Sequence, residues 1–428
     1  MLNFIHDIKN RGFIRLWWAQ LISQFGDRLH QMALIKLVAD RAPGSTMGLA
    51  KLLAFTIIPV FIVGPIAGVY VDRWDRKKTL FICDILRGLL VLTIPLYFIY
   101  KDSMVPIYII VFLAFCCSRF YIPAKMSYIP DLVSKENLIT ANSLITTTGM
   151  IAFVLGAALG GFAVEMLGAR WGFIWDASTF FISGLLVISI SRQIQVNLSK
   201  EEMLNRGREF IAIEKNIFSE MKEGIKYLIS LKEIRFVINM LFTLLSAAGA
   251  VYVVIIVFIQ QTFHSETKHI GVLAVCLGAG LLLGTLAYGK WGKNFRWYNV
   301  IFSCLIFGGL MLILFASVVS GNPNIWIASG LAMILGLVIG PVFIASNTVV
   351  HMVSSDQMRG KVFSALEIVI HFAFLVAMLI SSFLVEKLNV APVWVLGSVG
   401  LLFAVIGLSG MIRYRKGDDL VLEGEDMA

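Results

Sequence analysis

Residues 236–261 read FVINMLFTLLSAAGAVYVVIIVFIQQ and decide the fold. The stretch contains no acidic or basic side chain. An α-helix needs about 20 consecutive apolar residues to cross the hydrocarbon core of a bilayer, which is about 30 Å thick. This stretch is long enough, so it is predicted to form a transmembrane helix.

The composition of the whole chain agrees with that prediction. Of 428 residues, 58% are hydrophobic and 15% are charged, and the mean hydropathy is +0.84. Soluble proteins carry about 25% charged residues, so this composition excludes a water-soluble globule. Long apolar runs recur, whereas alternating segments of about 10 residues do not, which favours a helical bundle over a β-barrel.

Twelve apolar runs are predicted to be transmembrane helices, which makes the chain an all-α membrane protein. They lie at 13–39, 46–70, 79–100, 104–122, 141–167, 171–191, 236–261, 269–289, 297–320, 324–350, 362–386 and 391–412.

The basic residues predict the orientation of these helices. Of 36 Lys and Arg residues, 26 fall in one alternating set of connections and 5 in the other. Because cytoplasmic loops collect basic residues, both termini are predicted to be cytoplasmic. The same bias accounts for the net charge of +9. Anionic membrane lipids, and no nucleic acid, are its expected counterpart.

The chain divides into two similar halves around a charged linker. Gly64 and Gly68, at the end of the second run, are matched by Gly280 and Gly284 at the end of the eighth, an offset of 216 residues. Two pseudo-symmetric six-helix halves are therefore predicted, with a binding site between them near the middle of the membrane. The linker carries an apolar stripe typical of a helix on the membrane surface. The predicted boundaries are 1–191, 192–235 and 236–428.

The connection after the second run carries a recognisable motif. Residues 68–78, GVYVDRWDRKK, resemble the loop signature of the major facilitator superfamily, with Asp75 where that family has Gly. Five further segments are similar to the branch that contains macrolide-efflux proteins and enterobactin exporters. They are 83–87 (CDILR), 123–125 (PAK), 129–133 (IPDLV), 141–144 (ANSL) and 358–363 (MRGKVF).

The resemblance implies a function. It implies the major facilitator fold and a monomeric secondary transporter in the bacterial cytoplasmic (inner) membrane, most simply a proton-coupled exporter. Residues 24–27, QFGD, and 123–125 also resemble lysophospholipid transporters, so a lipid flippase is an alternative. An importer of nutrients is a second alternative, because the sequence of the helices does not indicate the direction of transport.

The signature loop is predicted to act as a cytoplasmic gate. A carboxylate at a helix C-terminus lies next to the negative end of the helix dipole and needs a cation or another helix N-terminus. The resemblance implies that Asp72 latches the start of the eleventh span. The alternative is a simple positively charged anchor. The predicted gate residues are Gly68, Asp72, Arg73, Arg76, Lys77, Asp84, Arg87 and Arg119.

The first span carries a polar strip. Gln20, Gln24, Asp27 and Gln31 recur at spacings of four, three and four, which places them on one helix face. An ionisable group inside a span is costly and normally faces the interior. Asp27 is therefore a candidate for protonation during transport. If it instead pairs with Arg28, the two have a structural or substrate-binding role.

The eleventh span offers a second candidate. Glu367 and His371 lie one helical turn apart, and a carboxylate beside an imidazole can relay a proton. Pairing of Glu367 with Arg87 or Lys361 is the alternative. Four other ionisable residues are predicted to be anchors near the membrane surface. These are Lys36, Lys51, Glu165 and Asp176.

The remaining residues bear on cargo and chemistry. The chain has 31 Phe and 17 Met, which suit a bulky amphipathic cargo better than a sugar or an inorganic ion.

Span five, with Gly156 and Gly160, resembles the antiporter motif of drug exporters, but Ala157 stands where that motif usually has Pro. The segment from His351 to Asp356 has the spacing of glycerolipid acyltransferases, but no further elements accompany it. No enzyme activity, cofactor or metal is expected.

Overall fold

The computed structural model describes residues 10–71, 74–98, 103–191, 232–292, 297–353 and 359–415. Every regular element described is helical. The α-helices are α1 Arg11–Arg41, α2 Thr46–Ile62, α3 Gly64–Val71, α4 Arg76–Phe98, α5 Val105–Leu132, α6 Leu138–Leu167, α7 Ala169–Ile188, α8 Lys232–Phe263, α9 Lys268–Trp291, α10 Trp297–Gly321, α11 Ile325–Val353, α12 Arg359–Lys387 and α13 Pro392–Arg415. A 3-10 helix, Lys135–Asn137, precedes α6.

Each predicted run coincides with one of these helices, except that the second run covers both α2 and α3. The break between these two helices follows from Pro65. Proline has no N–H and its ring clashes with the carbonyl four residues earlier, so α2 ends and α3 begins with Pro65 in its first turn.

The fourth predicted run ends too early. The sequence places its end at residue 122, before Pro123, but α5 continues through Pro123 and Pro130 to Leu132. Proline is tolerated inside membrane helices because neighbouring groups satisfy the carbonyl that it leaves free. The segment 123–125 is therefore helical.

Ten described helices, α4 to α13, are long and apolar enough to cross a membrane. Helix α2 has 17 residues and the 31-residue α1 carries several charged side chains, so neither is among these ten. Twelve crossings and cytoplasmic termini stay predictions. The apolar stripe of the linker lies outside the described residues, as do Asp72 and Arg73.

The helices form two compact units. The first contains Met1–Lys222 and Glu266–Gly271, and the second contains Glu223–Ser265 and Val272–Ala428. In the first unit α1 packs against α6 and α7, and α4 packs against α5 and α7. In the second, α8 packs against α12 and α13, and α10 packs against α11 and α13. Counted in predicted spans, these are the same four pairings moved by six.

Glycines allow close helix contacts inside the second unit. A Cβ on Gly280 or Gly284 would overlap a main-chain carbonyl oxygen of α11, and one on Gly336 or Gly340 would approach carbonyl oxygens of α9 too closely. These glycines therefore let α9 and α11 pack backbone against backbone.

Candidate functional site

The polar strip of α1 lies against other helices of the first unit. Gln20 is 3% exposed, and Gln24, Asp27 and Gln31 are half-buried. The side-chain oxygen of Gln24 lies beside Gly149 of α6. The helix begins after Asn10, whose side chain accepts a 2.7 Å hydrogen bond from the Gly12 N–H and caps the helix. The predicted strip is thus turned toward the protein rather than away from it.

Arg28 is directed away from Asp27. Its guanidinium donates a 2.8 Å hydrogen bond to the side-chain oxygen of Gln31 and lies 4.6 Å from the centre of the Phe153 ring. Its aliphatic stem packs on Gly156 of α6. Within the described ranges no salt bridge joins Arg28 to Asp27.

Asp84 and Arg87 form a salt bridge inside the first unit. Both are on α4, three residues apart, and their exposed fractions are 0% and 4%. The Ser183 hydroxyl of α7 donates a 2.7 Å hydrogen bond to the second carboxylate oxygen of Asp84. The Arg87 guanidinium lies 4.3 Å from the ring centres of both Tyr121 and Phe180. These contacts tie α4 to α5 and α7. Arg119, on α5, is half-buried near Cys116.

A second buried pair joins α1 to α7. His30 Nδ1 lies 2.9 Å from Asp176 Oδ2, and the two residues are 5% and 0% exposed. Asp176 is therefore not the surface anchor that the sequence predicted, because α1 covers it. The approach is possible because residue 26 is glycine, where a Cβ would lie 2.7 Å from Asp176 Oδ1 and overlap Thr179. The signal in the sequence was a histidine one turn from Asp27 and a carboxylate within an apolar run.

Asp27 interacts with members of both pairs. Its charge interacts electrostatically with Asp84 and Arg87 of the first pair and with Asp176 of the second. It also acts on Lys125 of α5, which interacts in turn with Arg87. We call these six residues the N-terminal charged cluster. Its members are Asp27, His30, Asp84, Arg87, Lys125 and Asp176.

The described part of the signature loop binds the ends of neighbouring helices in the same unit. Arg76 donates hydrogen bonds of 2.8 and 2.7 Å to both carboxylate oxygens of Asp131, at the end of α5. Lys77 donates a 2.6 Å hydrogen bond to the carbonyl of Ile190, after the end of α7. A cation is favourable at a helix C-terminus because the helix dipole is negative there.

Asp75 has a local structural role. Its side chain accepts a 2.9 Å hydrogen bond from the Lys78 N–H, which makes it the N-terminal cap of α4. The departure from the signature glycine is thereby explained. Gly68 faces open space, since no atom lies within 4 Å of a Cβ built there.

The two candidate residues of α12 are in contact, but through the backbone. His371 Nδ1 lies 2.7 Å from the main-chain oxygen of Glu367. Glu367 itself is exposed. This contact joins the imidazole to a carbonyl one turn earlier, and a proton relay through the Glu367 carboxylate stays a prediction.

Glu165, predicted to be an anchor, caps the start of α9 within the first unit. Its carboxylate accepts hydrogen bonds from the main-chain N–H groups of Glu266, Thr267 and Lys268, at 3.3, 2.6 and 3.2 Å. The Thr267 hydroxyl donates to the same carboxylate at 3.0 Å. Lys36 of α1 forms salt bridges with Glu266 and Asp40. An acidic group is favourable at a helix N-terminus because the helix dipole is positive there.

Comparison with known families identifies the chain. Residues 16–298 match the Major Facilitator Superfamily, and a second match covers residues 236–424. The chain belongs to the Major Facilitator Superfamily. It is therefore a multi-pass membrane transporter, and membership implies a small-molecule substrate. The prediction of the family from residues 68–78 is confirmed.

Three relatives show the range of the likeness. The chain is 28% identical to "Uncharacterized MFS-type transporter YkuC" of Bacillus subtilis, over 83% of this chain and 81% of the relative. It is 27% identical to "Putative bacilysin exporter BacE" of the same organism, over 71% of each. It is 23% identical to macrolide efflux protein A of Streptococcus pyogenes, over 95% of this chain and 97% of the relative. The likeness to macrolide-efflux proteins is confirmed.

A solved structure supports the fold. A bacterial homologue of the iron transporter ferroportin, in an inward-facing state, aligns with a TM-score of 0.71 over 94% of this chain and 98% of that one. The two are 15% identical, so the alignment bears on the fold alone.

Proposed function

We propose that the chain is a secondary active transporter that works by alternating access and exports a bulky amphipathic small molecule in exchange for protons. It acts in the bacterial cytoplasmic membrane with both termini inside. The names of two relatives, one an exporter and one an efflux protein, support export. The excess of basic residues in one set of connections supports the orientation.

The N-terminal charged cluster is the observation that carries this proposal. Ionisable side chains inside a membrane protein are costly and mark ion or substrate pathways, including proton relays. A purely structural role accounts for Asp84 and Arg87, which neutralise each other. It does not account for Asp27, whose neighbour Arg28 is held by Gln31 instead.

The cargo is argued from the side chains of the chain and from its relatives. Gln20, Gln24 and Gln31 supply neutral hydrogen-bonding groups along α1. A site lined by a few polar groups among aromatic and Met side chains suits an amphipathic molecule. Lipids such as lysophospholipids share this chemistry, and the experiment below separates them from drugs.

The test is accumulation in everted membrane vesicles from cells that produce the protein, compared with vesicles from cells that lack it. Erythromycin, a ferric siderophore and a lysophospholipid are the probes. We expect one of the first two to accumulate when a proton gradient is imposed, and an uncoupler to abolish the accumulation. Asp27→Asn should abolish it as well. Asp40→Asn is the matched control, because Asp40 is an exposed carboxylate on the same helix.

Three results would change the proposal. Lysophospholipid movement that is insensitive to the uncoupler would identify a lipid flippase. Uptake of a probe in the direction opposite to export would identify an importer. Accumulation in Asp27→Asn equal to that of the wild type would remove Asp27 from the mechanism.

A further inference from the structure

The His30–Asp176 pair has unused hydrogen-bonding capacity. His30 Nδ1 and Asp176 Oδ2 lie 2.9 Å apart, but no described group forms a hydrogen bond with either ring nitrogen of His30 or with either carboxylate oxygen of Asp176. All of these atoms are buried. A buried polar group without a partner is costly, and in a native protein it calls for a specific explanation.

The charges around the pair suggest what that explanation is. The N-terminal charged cluster contains three carboxyl groups, on Asp27, Asp84 and Asp176, and two basic side chains, on Arg87 and Lys125. When all five of these groups are ionised, a neutral His30 leaves the cluster with a net charge of −1. A proton on His30 makes the cluster neutral. Because charge imbalance is expensive away from water, this count fits a cluster that holds one exchangeable proton.

The surroundings of His30 isolate it from competing groups. Its ring lies 5.4 Å from the Phe173 ring and 6.4 Å from the Phe115 ring, centre to centre. Arg28, on the same helix, is turned to Gln31 and Phe153. Among the other titratable groups on the packed helices, Tyr121 lies under Arg87, and Arg119 is near Cys116.

We propose that His30 and Asp176 are the proton-binding site of the transporter, with Asp27 as a charged neighbour of Asp176. This proposal rests on the proposed function, because it names the residues responsible for the proton coupling proposed there. The neutral imidazole carries its hydrogen on Nδ1, facing Asp176, and Nε2 accepts one proton from water on one side of the membrane. The same proton leaves from Nε2 to the other side. No bond other than N–H is formed or broken.

Asp176 acts as the positioning residue in this arrangement. A carboxylate beside Nδ1 fixes the tautomer that leaves Nε2 free to accept. The close approach of α1 to α7 explains why residue 26 of α1 is glycine. A side chain there would push Asp176 and Thr179 away from α1, and with them the carboxylate from His30.

The first measurement needs no substrate. Nitrogen NMR of the wild-type protein with labelled histidine, in lipid nanodiscs, reports the protonation of each ring. The signal that is lost in His30→Gln belongs to His30. If that variant does not fold, a protein whose other histidines are all replaced by glutamine gives the same assignment. We expect the His30 signal to change from protonated to neutral between about pH 5 and about pH 9. A single protonation state across this range would overturn the proposal.

The second measurement is transport of erythromycin in the vesicles described above. We expect His30→Gln and Asp176→Asn to reduce the gradient-driven accumulation of erythromycin at least about tenfold, because each variant removes part of the proton-binding site. Downhill exchange of the probe should persist, which shows that the variants are folded. His269→Gln is the matched control, since it removes a histidine outside the cluster and should accumulate the probe like the wild type.

The outcomes separate the two proposals. Gradient-driven accumulation in both variants equal to the wild type would overturn the His30–Asp176 assignment and leave proton coupling intact. If the proton gradient does not change accumulation by the wild-type protein, the proposed proton coupling is overturned. The NMR titration then still decides whether His30 binds a proton.

Discussion

The Ser183 hydroxyl donates a 2.7 Å hydrogen bond to Oδ2 of Asp84, while Arg87 forms a salt bridge with Oδ1 of the same carboxylate. The two donors come from different helices, α7 and α4, and both carboxylate oxygens are occupied. A buried ion pair is stable only when its remaining hydrogen-bonding capacity is met in this way. Ser183 therefore contributes to the stability of the first unit.

Ser183→Ala should destabilise the protein. The substitution leaves one oxygen of a buried carboxylate without its donor, which costs about 1 to 3 kcal/mol. The measurement is the thermal unfolding midpoint in detergent. Ser178→Ala is the matched control, because Ser178 is exposed on the same helix and bonds only to the carbonyl one turn earlier. Equal midpoints for both variants would contradict the prediction.

Arg87→Leu should be more damaging than the loss of the whole pair. The single change leaves the Asp84 charge buried without compensation, which costs about 3 to 5 kcal/mol. Adding Asp84→Asn removes that charge and should restore part of the stability. Unfolding in a denaturant series checks both. If the double variant is as unstable as the single one, the salt bridge is not the source of the effect.

Gly26→Ala should disrupt the contact of α1 with α7. A Cβ there would overlap Thr179 and crowd Asp176, so the helices must separate. Overpacking costs about 1 to 3 kcal/mol. The control is Gly330→Ala on α11, where no atom lies within 4 Å of the added Cβ. That change should be neutral or stabilising, because alanine favours a helix by about 1 kcal/mol over glycine. The yield of folded protein on size-exclusion chromatography distinguishes the two.

Glu165→Gln should loosen the start of α9. The amide keeps one oxygen for the Thr267 N–H but loses the negative charge next to the positive end of the helix dipole, which is worth about 0.3 to 1 kcal/mol or more in a partly buried place. Faster hydrogen exchange of the Thr267 and Lys268 amides, measured by mass spectrometry, would show it. Glu136→Gln, on the exposed 3-10 helix, should leave those amides unchanged.

The sequence predicted the helices well, because an apolar run of membrane-spanning length admits no other structure. It failed where a local rule competed with the lipid environment. Pro123 suggested a helix end that α5 does not have. By contrast, the sequence correctly predicted that Asp27 and the α1 glutamines face other helices, because their spacing alone places them on one helix face.

Pairings across the fold were beyond the sequence. Asp84 and Arg87 could be paired from their spacing of three, but Ser183 is 99 residues away from Asp84. Asp176 looked like a membrane-surface residue because nothing near it in the chain provides a partner. Its contact with His30 depends on how closely α1 and α7 approach, which is set by a single glycine.

The six residues Glu266–Gly271 belong to the first unit, although the chain on either side of them belongs to the second. Glu165 bonds to a main-chain amide that is 102 residues later. During synthesis, the first unit must therefore wait for a hundred further residues before the Glu165 carboxylate meets its donors. Until then the Glu165 carboxylate lacks the three main-chain N–H groups that it binds in the finished unit.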